Sequence, residues 1–189
     1  MDVSTAIESR RAYRSLEKME ITEDLIRILA LSASLSPSCF NNQPWKFVFV
    51  YKNAVLDELK TALPKGNDWA RNASMIIAVL SKQSDDCILD NRKYYLLDTG
   101  MAVAFLILKV AELGYIAHPI AGYNPETVKK AIESPDDMEI ITLIIFGKHK
   151  KEIDPTLSEK QRHDEIERPG RKSFDEYAYF NKFSNGTGY

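Results

Sequence analysis

Three arginines near the N-terminus form the first group of residues that could do chemistry. Arg10, Arg11 and Arg14 stand within five positions of one another, at the end of a predicted short helix. Residues four apart on a helix share one face, where like charges repel, so the arrangement is more stable with an anion beside it. Guanidinium groups remain charged and bind phosphate through paired hydrogen bonds, which makes the cluster a candidate phosphate site. A plain solvated basic face is the competing interpretation, here and for a second cluster at 168–172.

A second group lies in the loop from Ser36 to Trp45, which reads SPSCFNNQPW. The loop joins a helical pattern to the apolar run KFVFV, and its prolines restrict the backbone before any ligand binds. Its uncharged donors and acceptors are Ser38, Asn41, Asn42 and Gln43. A planar heteroaromatic ring needs such groups fixed around its edge, so the loop is a candidate ligand site. The alternative is a connector whose asparagines satisfy the backbone of a turn.

The sequence lacks the common signatures of nucleotide and nucleophile sites. It contains no GxGxxG after a strand, no GxxxxGK followed by Ser or Thr, and no GxSxG. His118, His149 and His163 have no ligand-like spacing with cysteines or acidic residues, so we expect no metal site. No side chain stands out as a catalytic acid, base or nucleophile.

Composition and cysteine usage limit the partners and the compartment. Lys and Arg number 25 against 27 Asp and Glu, a net charge of -2, which predicts no affinity for nucleic acid or an anionic membrane. Cys39 and Cys87 stand 48 residues apart without a CxxC motif, and the N-terminus has no apolar segment for secretion. We therefore expect reduced cysteines, a cytoplasmic protein and no need for a disulfide.

Hydrophobic periodicity predicts the elements that position these groups. Helices are expected at 3–10, from the N-cap Thr22 to Leu35, at 54–63, at 92–113 and from the N-cap Asn124 to about 132. Buried strands are expected at 46–51, 74–81 and 139–147, and a further strand is expected in YIAHPIAGY. The helix at 92–113 carries no charge from Thr99 to Leu108 and is apolar on all sides, so we expect it at the centre of the core. The pattern fits one domain, 1–189. Its segment 148–189 is a C-terminal arm, because 148–172 has too few large apolar residues for a core of its own.

Four motifs, in this order, resemble the FMN-dependent nitroreductase family. They are RRAYRS at 10–15, PSCFNNQPWKFVFV at 37–50, HPIAGYNPE at 118–126 and GRKSFDEY at 170–177. The resemblance extends from about Ile7 to Tyr177. It implies an α+β nitroreductase-like fold with a central sheet, mixed or antiparallel, flanked by helices. It also implies an intertwined homodimer with two flavins at the interface, in which the arm at 148–189 packs on the partner subunit.

The resemblance assigns cofactor contacts to the matching positions. Those for the FMN phosphate and ribityl end are Arg10, Arg11 and Arg14, joined by Arg171 and Lys172. Those that line the flavin from the partner subunit are Pro37, Ser38, Cys39 and Asn41. The loop under the isoalloxazine ring consists of Pro119, Ile120, Ala121 and Gly122, with the backbone N–H of Ala121 facing flavin N5, while Asn67 matches an asparagine at the pyrimidine edge. Ala12 stands where relatives have a serine, so one hydroxyl contact to FMN is missing.

For activity, the resemblance implies an FMN-dependent NAD(P)H oxidoreductase with a ping-pong mechanism. FMN takes a hydride from NADH or NADPH and then passes the electrons to a small acceptor, which is a quinone, nitro or enone compound. The alternative is a non-enzymatic flavin-binding or regulatory protein that retains the fold. The missing hydroxyl at Ala12 and the bulky Phe40 favour this alternative.

Overall fold

One long strand near the C-terminus organises an antiparallel sheet of five strands. The computed structural model describes residues 1–183. Its strands are β1 (Leu16–Glu17), β2 (Lys46–Val50), β3 (Met75–Ser81), β4 (Ile88–Leu89), β5 (Arg92–Lys93), β6 (Ile116–Ile120) and β7 (Glu139–His149). β3 lies along one edge of β7, β6 and β1 follow one another along its other edge, and β2 pairs with the outer edge of β3. β4 and β5 form a separate hairpin.

Six α-helices in the described part of the chain flank this sheet. They are α1 (Val3–Ser9), α2 (Glu23–Ser34), α3 (Asn53–Lys60), α4 (Tyr94–Glu112), α5 (Pro125–Ala131) and α6 (Glu159–Ile166). Side-chain caps fix where helices begin: the Thr22 hydroxyl accepts from the backbone of Leu25, and the Asn124 amide oxygen accepts from Thr127. Each such cap stabilises its helix by about 1 kcal/mol. Both predicted N-caps and the α+β architecture are confirmed.

Two apolar cores lie on opposite faces of the sheet, and β3 contributes to both because its side chains alternate. Ile76, Ala78 and Leu80 belong to the core that includes residues of α3 and α5 together with Trp69. Met75, Ile77 and Val79 belong to the core that includes residues of α2 and α4. Every residue of β3 is buried, as the sequence predicts. β2 is only partly buried, since it forms an edge of the sheet.

The prediction that α4 lies at the centre of the core is wrong, because only one side of the helix is buried. One side of the helix packs on α2 and the sheet and includes Ala102, Leu106 and Val110. Its other side leaves Leu97 57% exposed and Phe105 42% exposed. Among the helices of residues 1–183, α4 alone reaches the length and apolarity of a membrane span, but its buried side packs within the fold. A uniformly apolar helix with one open side has surface left for a further contact.

Two local elements differ from the sequence prediction. The chain turns between β4 and β5 through Asp90 and Asn91, whose φ angles of 51° and 60° are left-handed, so the following helix begins two residues later than predicted. Short polar side chains of this kind tolerate such turns. The helix α6 was not predicted. It begins at a capping box formed by Ser158 and Gln161.

The predicted arm divides into two parts. The segment 154–166 packs on its own chain, where Asp154, Leu157 and Glu165 are buried. The segment 167–183 is almost entirely exposed and contains one short helical turn at Phe174–Glu176. The last part of the predicted arm, 184–189, lies outside the described residues.

The prediction of reduced cysteines is wrong in this structure, because Cys39 and Cys87 form a disulfide with a Cα–Cα distance of 6.1 Å. The physical reason lies in the sheet register. Lys46 at the start of β2 pairs with Leu80 near the end of β3. Cys39 precedes Lys46 by as many residues as Cys87 follows Leu80, so the antiparallel pair brings the two cysteines to the same end of the sheet.

Candidate functional site

The structure brings the two basic clusters together around one cavity of about 170 Å³. Residues 10–14, between α1 and β1, form one wall, and the last turn of α6 with the segment that follows it forms the other. The lining residues are Arg10, Arg11, Ala12, Arg14, Asp164, Arg168, Pro169 and Arg171. Four of the five predicted phosphate contacts therefore meet, and Arg168 joins them. Lys172 is exposed and does not line the cavity.

Two of these arginines are fixed by backbone carbonyl groups. The Arg11 guanidinium donates to the carbonyl oxygen of Asp164 at 2.6 Å, and Arg168 donates to those of Glu8 and Arg10. The contact between Arg168 and Arg10 measures 2.9 Å. These bonds tie the segment before β1 to the last turn of α6 and to the segment that follows it, so the two walls of the cavity hold each other in place.

The remaining positive charge of the cavity is only partly balanced. The Arg14 guanidinium lies 3.8 Å from the carboxylate of Asp164. The side chains of Arg10 and Arg171 donate no hydrogen bond within residues 1–183. Burial lowers the pKa of the Arg10 guanidinium, and the charges of Arg168 and Arg171 lower it further. A bound anion would relieve this repulsion, and the planar guanidinium groups match the oxygens of a phosphate.

A buried carboxylate of α6 holds the backbone of the segment that carries Arg10, Arg11 and Arg14. Glu165 of α6 is 7% exposed, and its two oxygens accept the backbone N–H groups of Arg14 and Ser15. Its carboxylate also lies 3.9 Å from Nε2 of His149 on β7. The Ser15 hydroxyl in turn accepts from the backbone of Asp154 at 3.0 Å. The backbone of the predicted phosphate site is thus held by charge-assisted hydrogen bonds rather than by sequence-local contacts.

The loop after β6 forms a second part of the predicted site. Pro119 and Ile120 end the strand, and the carbonyl oxygen of Gly122 accepts from the side-chain amide of Asn67 at 2.8 Å. Asn67 and Gly122, two separately predicted site residues, therefore meet. The backbone N–H of Ala121, which follows the strand in an exposed position, donates no hydrogen bond within residues 1–183. It is free to donate to a ligand.

A buried histidine connects the loop after β6 with the arginine segment. Nδ1 of His118 lies 3.2 Å from the carbonyl oxygen of Tyr13, and its ring lies 4.7 Å from that of Trp69. Burial lowers the pKa of His118 from 6.5 to about 4, against the opposing effect of the Tyr13 contact. The imidazole is therefore neutral at physiological pH. It serves as a packed link between the two parts of the site rather than as a proton donor.

This burial predicts how stability depends on pH. The unfolded chain takes up a proton at His118 below about pH 6.5 while the folded chain stays neutral down to a pKa of about 4. The free energy of unfolding therefore decreases as the pH is lowered through this window, by about 2 kcal/mol from about pH 7 to about pH 5. Urea unfolding of the wild type and of His118→Gln across this range measures the contribution. Equal pH slopes for the two proteins would contradict the assignment.

The loop predicted to line the flavin stands apart from the arginine cavity. Its Cys39 N–H donates to the buried carboxylate of Asp98 at 2.6 Å, and the Ser38 hydroxyl accepts from the backbone of Gln43 at 3.0 Å. Phe40, with a left-handed φ of 47°, is 87% exposed. Pro37, Ser38, Cys39 and Asn41 do not line the arginine cavity. Within one chain the predicted site is thus divided into parts that do not meet.

Sequence reasoning missed the acidic residues that support these parts. Glu165 accepts a backbone N–H group from 150 residues away in the sequence, and Asp98 accepts one from 59 residues away. A sequence pattern does not reveal hydrogen bonds of this range. Burial raises the pKa of Asp98, and the neighbouring Asp86 raises it further. The only local signal was the Ser158 to Gln161 spacing, which is typical of a capping box and marks the helix that carries Glu165.

Comparison with known proteins agrees with this architecture. Residues 7–148 match the Nitroreductase family, and the chain belongs to that family. MhqN of Bacillus subtilis (strain 168), whose name describes an NAD(P)H nitroreductase, is 27% identical over 77% of this chain and 87% of its own length. An Exiguobacterium sibiricum 255-15 protein solved in complex with FMN has a TM-score of 0.80 at 19% identity, covering 96% of this chain and 98% of its own. A further oxidoreductase containing FMN has a TM-score of 0.82 at 22% identity, covering 98% and 95%.

Proposed function

We propose that this protein is an FMN-dependent oxidoreductase that passes electrons from NAD(P)H to a small acceptor. The observation that carries the proposal is the arginine cavity, in which Arg10 and Arg171 remain without a protein acceptor in residues 1–183 beside three further guanidinium groups. A dianionic phosphate fits this surplus of charge and donors. The family membership supports the same cofactor, because relatives of this fold contain FMN.

Each part of the site then has a role toward the cofactor. Arg10, Arg11, Arg14 and Arg171 bind the phosphate and the adjoining ribityl end, with Glu165 holding their backbone in place. The free N–H of Ala121 donates to the ring edge, and Asn67 presents its amide beside it. When bound, FMN supplies the redox chemistry by accepting a hydride from NADH or NADPH and delivering electrons to the second substrate. The chain itself binds and orients, and no side chain is assigned a proton transfer.

The complete site in this proposal requires a homodimer. The flavin-lining loop with Ser38, Cys39 and Asn41 does not reach the arginine cavity of its own chain, so a partner subunit would supply it. Apolar surface supports such an interface: Leu35 of the segment after α2 is 71% exposed, and Leu97 of α4 is 57% exposed. The exposed segment 167–183, with Phe180 81% exposed, would pack on the partner. We further propose the cytoplasm as the compartment, where NAD(P)H is available.

Steady-state kinetics of the FMN-loaded protein test the proposed activity. We expect NADH or NADPH oxidation in the presence of a quinone, nitro or enone acceptor, with parallel double-reciprocal plots because both substrates use the same site in turn. Intersecting plots would contradict the ping-pong mechanism. Bound flavin without any turnover would contradict the proposed enzymatic activity and favour a non-enzymatic flavin-binding protein.

A glycine in the loop after β6 offers a local test of the ring-edge contacts. A Cβ atom added at Gly122 would lie 2.9 Å from Nδ2 of Asn67, which is closer than packing permits. We expect Gly122→Ala to displace the Asn67 amide and to lower FMN affinity about tenfold, the value of one hydrogen bond of this kind. The matched control is Gly66→Ala, where a Cβ meets nothing within 4 Å. Fluorescence titration with FMN measures both variants, and an unchanged affinity of Gly122→Ala would refute the assigned contact.

A further inference from the structure

A cluster of sulfur and carboxylate groups, which shares only Cys39 with the proposed flavin contacts, lies at the end of the sheet where β2 begins and β3 ends. Cys39, Asp86 and Cys87 place one ligand atom each within 4.8 Å of one another. Asp98 of α4 joins them, since its carboxylate accepts from the backbone N–H of Cys39 at 2.6 Å. Two sulfurs and two carboxylates thus converge from three segments of the chain.

One atom of this cluster is buried without a partner. Asp86 is only 8% exposed, and its Oδ1 accepts from Asn42 at 3.2 Å and from the backbone of Cys87 at 2.8 Å. Its Oδ2 has no hydrogen-bond partner within residues 1–183. Asp98, the second carboxylate, is 2% exposed. A buried carboxylate oxygen with no donor is costly unless a cation or a donor meets it.

We propose that the reduced protein binds one zinc-class divalent cation between the thiolates of Cys39 and Cys87 and the Oδ2 atom of Asp86, with water as the fourth ligand and Asp98 holding the Cys39 backbone in place. Zinc prefers four ligands, with bonds of roughly 2.3 Å to thiolate and roughly 2.0 Å to carboxylate, so its ligand atoms lie roughly 3.5 Å apart. The group at Cys39, Asp86 and Cys87 is compact enough for this arrangement. The mixed set of thiolates and carboxylates suits zinc better than calcium or magnesium, which take oxygen ligands alone.

The disulfide of this structure is the state that excludes the metal. Oxidation by hydrogen peroxide removes two electrons from the two thiolates, forms the S–S bond between Cys39 and Cys87, and converts the peroxide with two protons into two water molecules. The sulfurs lose their negative charge, so only carboxylates remain for the cation. A thiol or phosphine reductant returns two electrons and restores the thiolate ligands.

Cobalt titration of the apoprotein without added flavin tests the proposal independently of the flavin assignment. The protein is reduced with a phosphine, desalted under anaerobic conditions and titrated with Co²⁺, a spectroscopic probe for zinc sites. We expect one ion per chain, a thiolate-to-cobalt charge-transfer band, displacement by Zn²⁺, and no band in the oxidised protein. Hydrogen peroxide should then release one zinc ion for each disulfide formed.

Near-isosteric variants separate ligands from neighbours. We expect Cys87→Ser to lose the charge-transfer band and Asp86→Asn to weaken binding at least about tenfold. Asp90→Asn is the matched control, because Asp90 is an exposed carboxylate of the same segment and keeps wild-type affinity if the proposal is right. No charge-transfer band in the reduced wild type, or equal affinities for Asp86→Asn and Asp90→Asn, would overturn it. Circular dichroism verifies that each variant is folded. If Cys87→Ser does not fold, the comparison of Asp86→Asn with Asp90→Asn alone decides whether the metal site exists.

Discussion

Replacing Arg10 by alanine is expected to weaken FMN binding by roughly 30-fold to 100-fold, the loss of one charge-assisted contact to a phosphate. The same change should leave the free energy of unfolding of the apoprotein unchanged or slightly higher. The reason is that partial burial, and then repulsion by Arg168 and Arg171, disfavour the charged Arg10 guanidinium in the absence of an anion and lower its pKa. FMN binding therefore weakens without any loss of stability, a combination that a general folding defect cannot produce.

The matched control for Arg10→Ala is Arg27→Ala on α2. The Arg27 side chain is 76% exposed and forms only a surface ion pair with Glu23 at 3.9 Å, so its removal changes the net charge equally without touching the cavity. Equilibrium titration by flavin fluorescence quenching gives the affinities, and urea unfolding gives the stabilities. If the Arg10 and Arg27 variants bind FMN equally, the phosphate does not lie in the arginine cavity.

The second large effect is expected at Glu165. Its carboxylate is buried and accepts two backbone N–H groups from Arg14 and Ser15, so Glu165→Ala leaves both donors without a partner and opens a gap beneath them. We expect the free energy of unfolding to fall by about 4 kcal/mol, the usual cost of removing one member of a buried charged contact. FMN affinity should fall as well, since the backbone that carries the arginines is no longer fixed.

Glu167→Ala is the control for this variant, because Glu167 is 70% exposed and pairs only with His163 at 3.6 Å. Its loss should cost less than about 1 kcal/mol. Chemical unfolding of both apoproteins measures the difference directly. A Glu165→Ala protein as stable as Glu167→Ala would show that the carboxylate does not anchor the segment before β1.

The elements that could be predicted from the sequence are those with strong local signals. β3 is a continuous apolar run, and Thr22 and Asn124 are favourable caps ahead of amphipathic segments, so their places follow from short-range physics. α6 has little apolar surface and is fixed instead by the partners of Glu165, which lie about 150 residues away in sequence. A contact of that range carries no periodicity that a sequence pattern could reveal.

In the candidate site, too, residues with a local sequence signal could be predicted, and contacts between distant segments could not. The arginines could be singled out from the sequence because clustered guanidinium groups suit an anion such as phosphate. The structure gathers Arg10, Arg11, Arg14 and Arg171 around one cavity, and their contact with a phosphate is our proposal. The disulfide could not, because Cys39 and Cys87 meet only through the antiparallel register of β2 and β3. The burial of α4 was overestimated for a related reason. Apolar composition indicates that a surface will be covered, but it does not say whether the same chain or another covers it.

The comparison of FMN with riboflavin tests the central claim most directly, since the two ligands share the ring and ribityl chain and differ only in the phosphate. Isothermal titration of the apoprotein with each ligand gives both affinities under one condition. If the arginine cavity holds the phosphate, FMN should bind at least about 100-fold more tightly than riboflavin, and the difference should shrink as salt screens the arginines. Equal affinities for the two ligands, or no binding of either, would contradict the account.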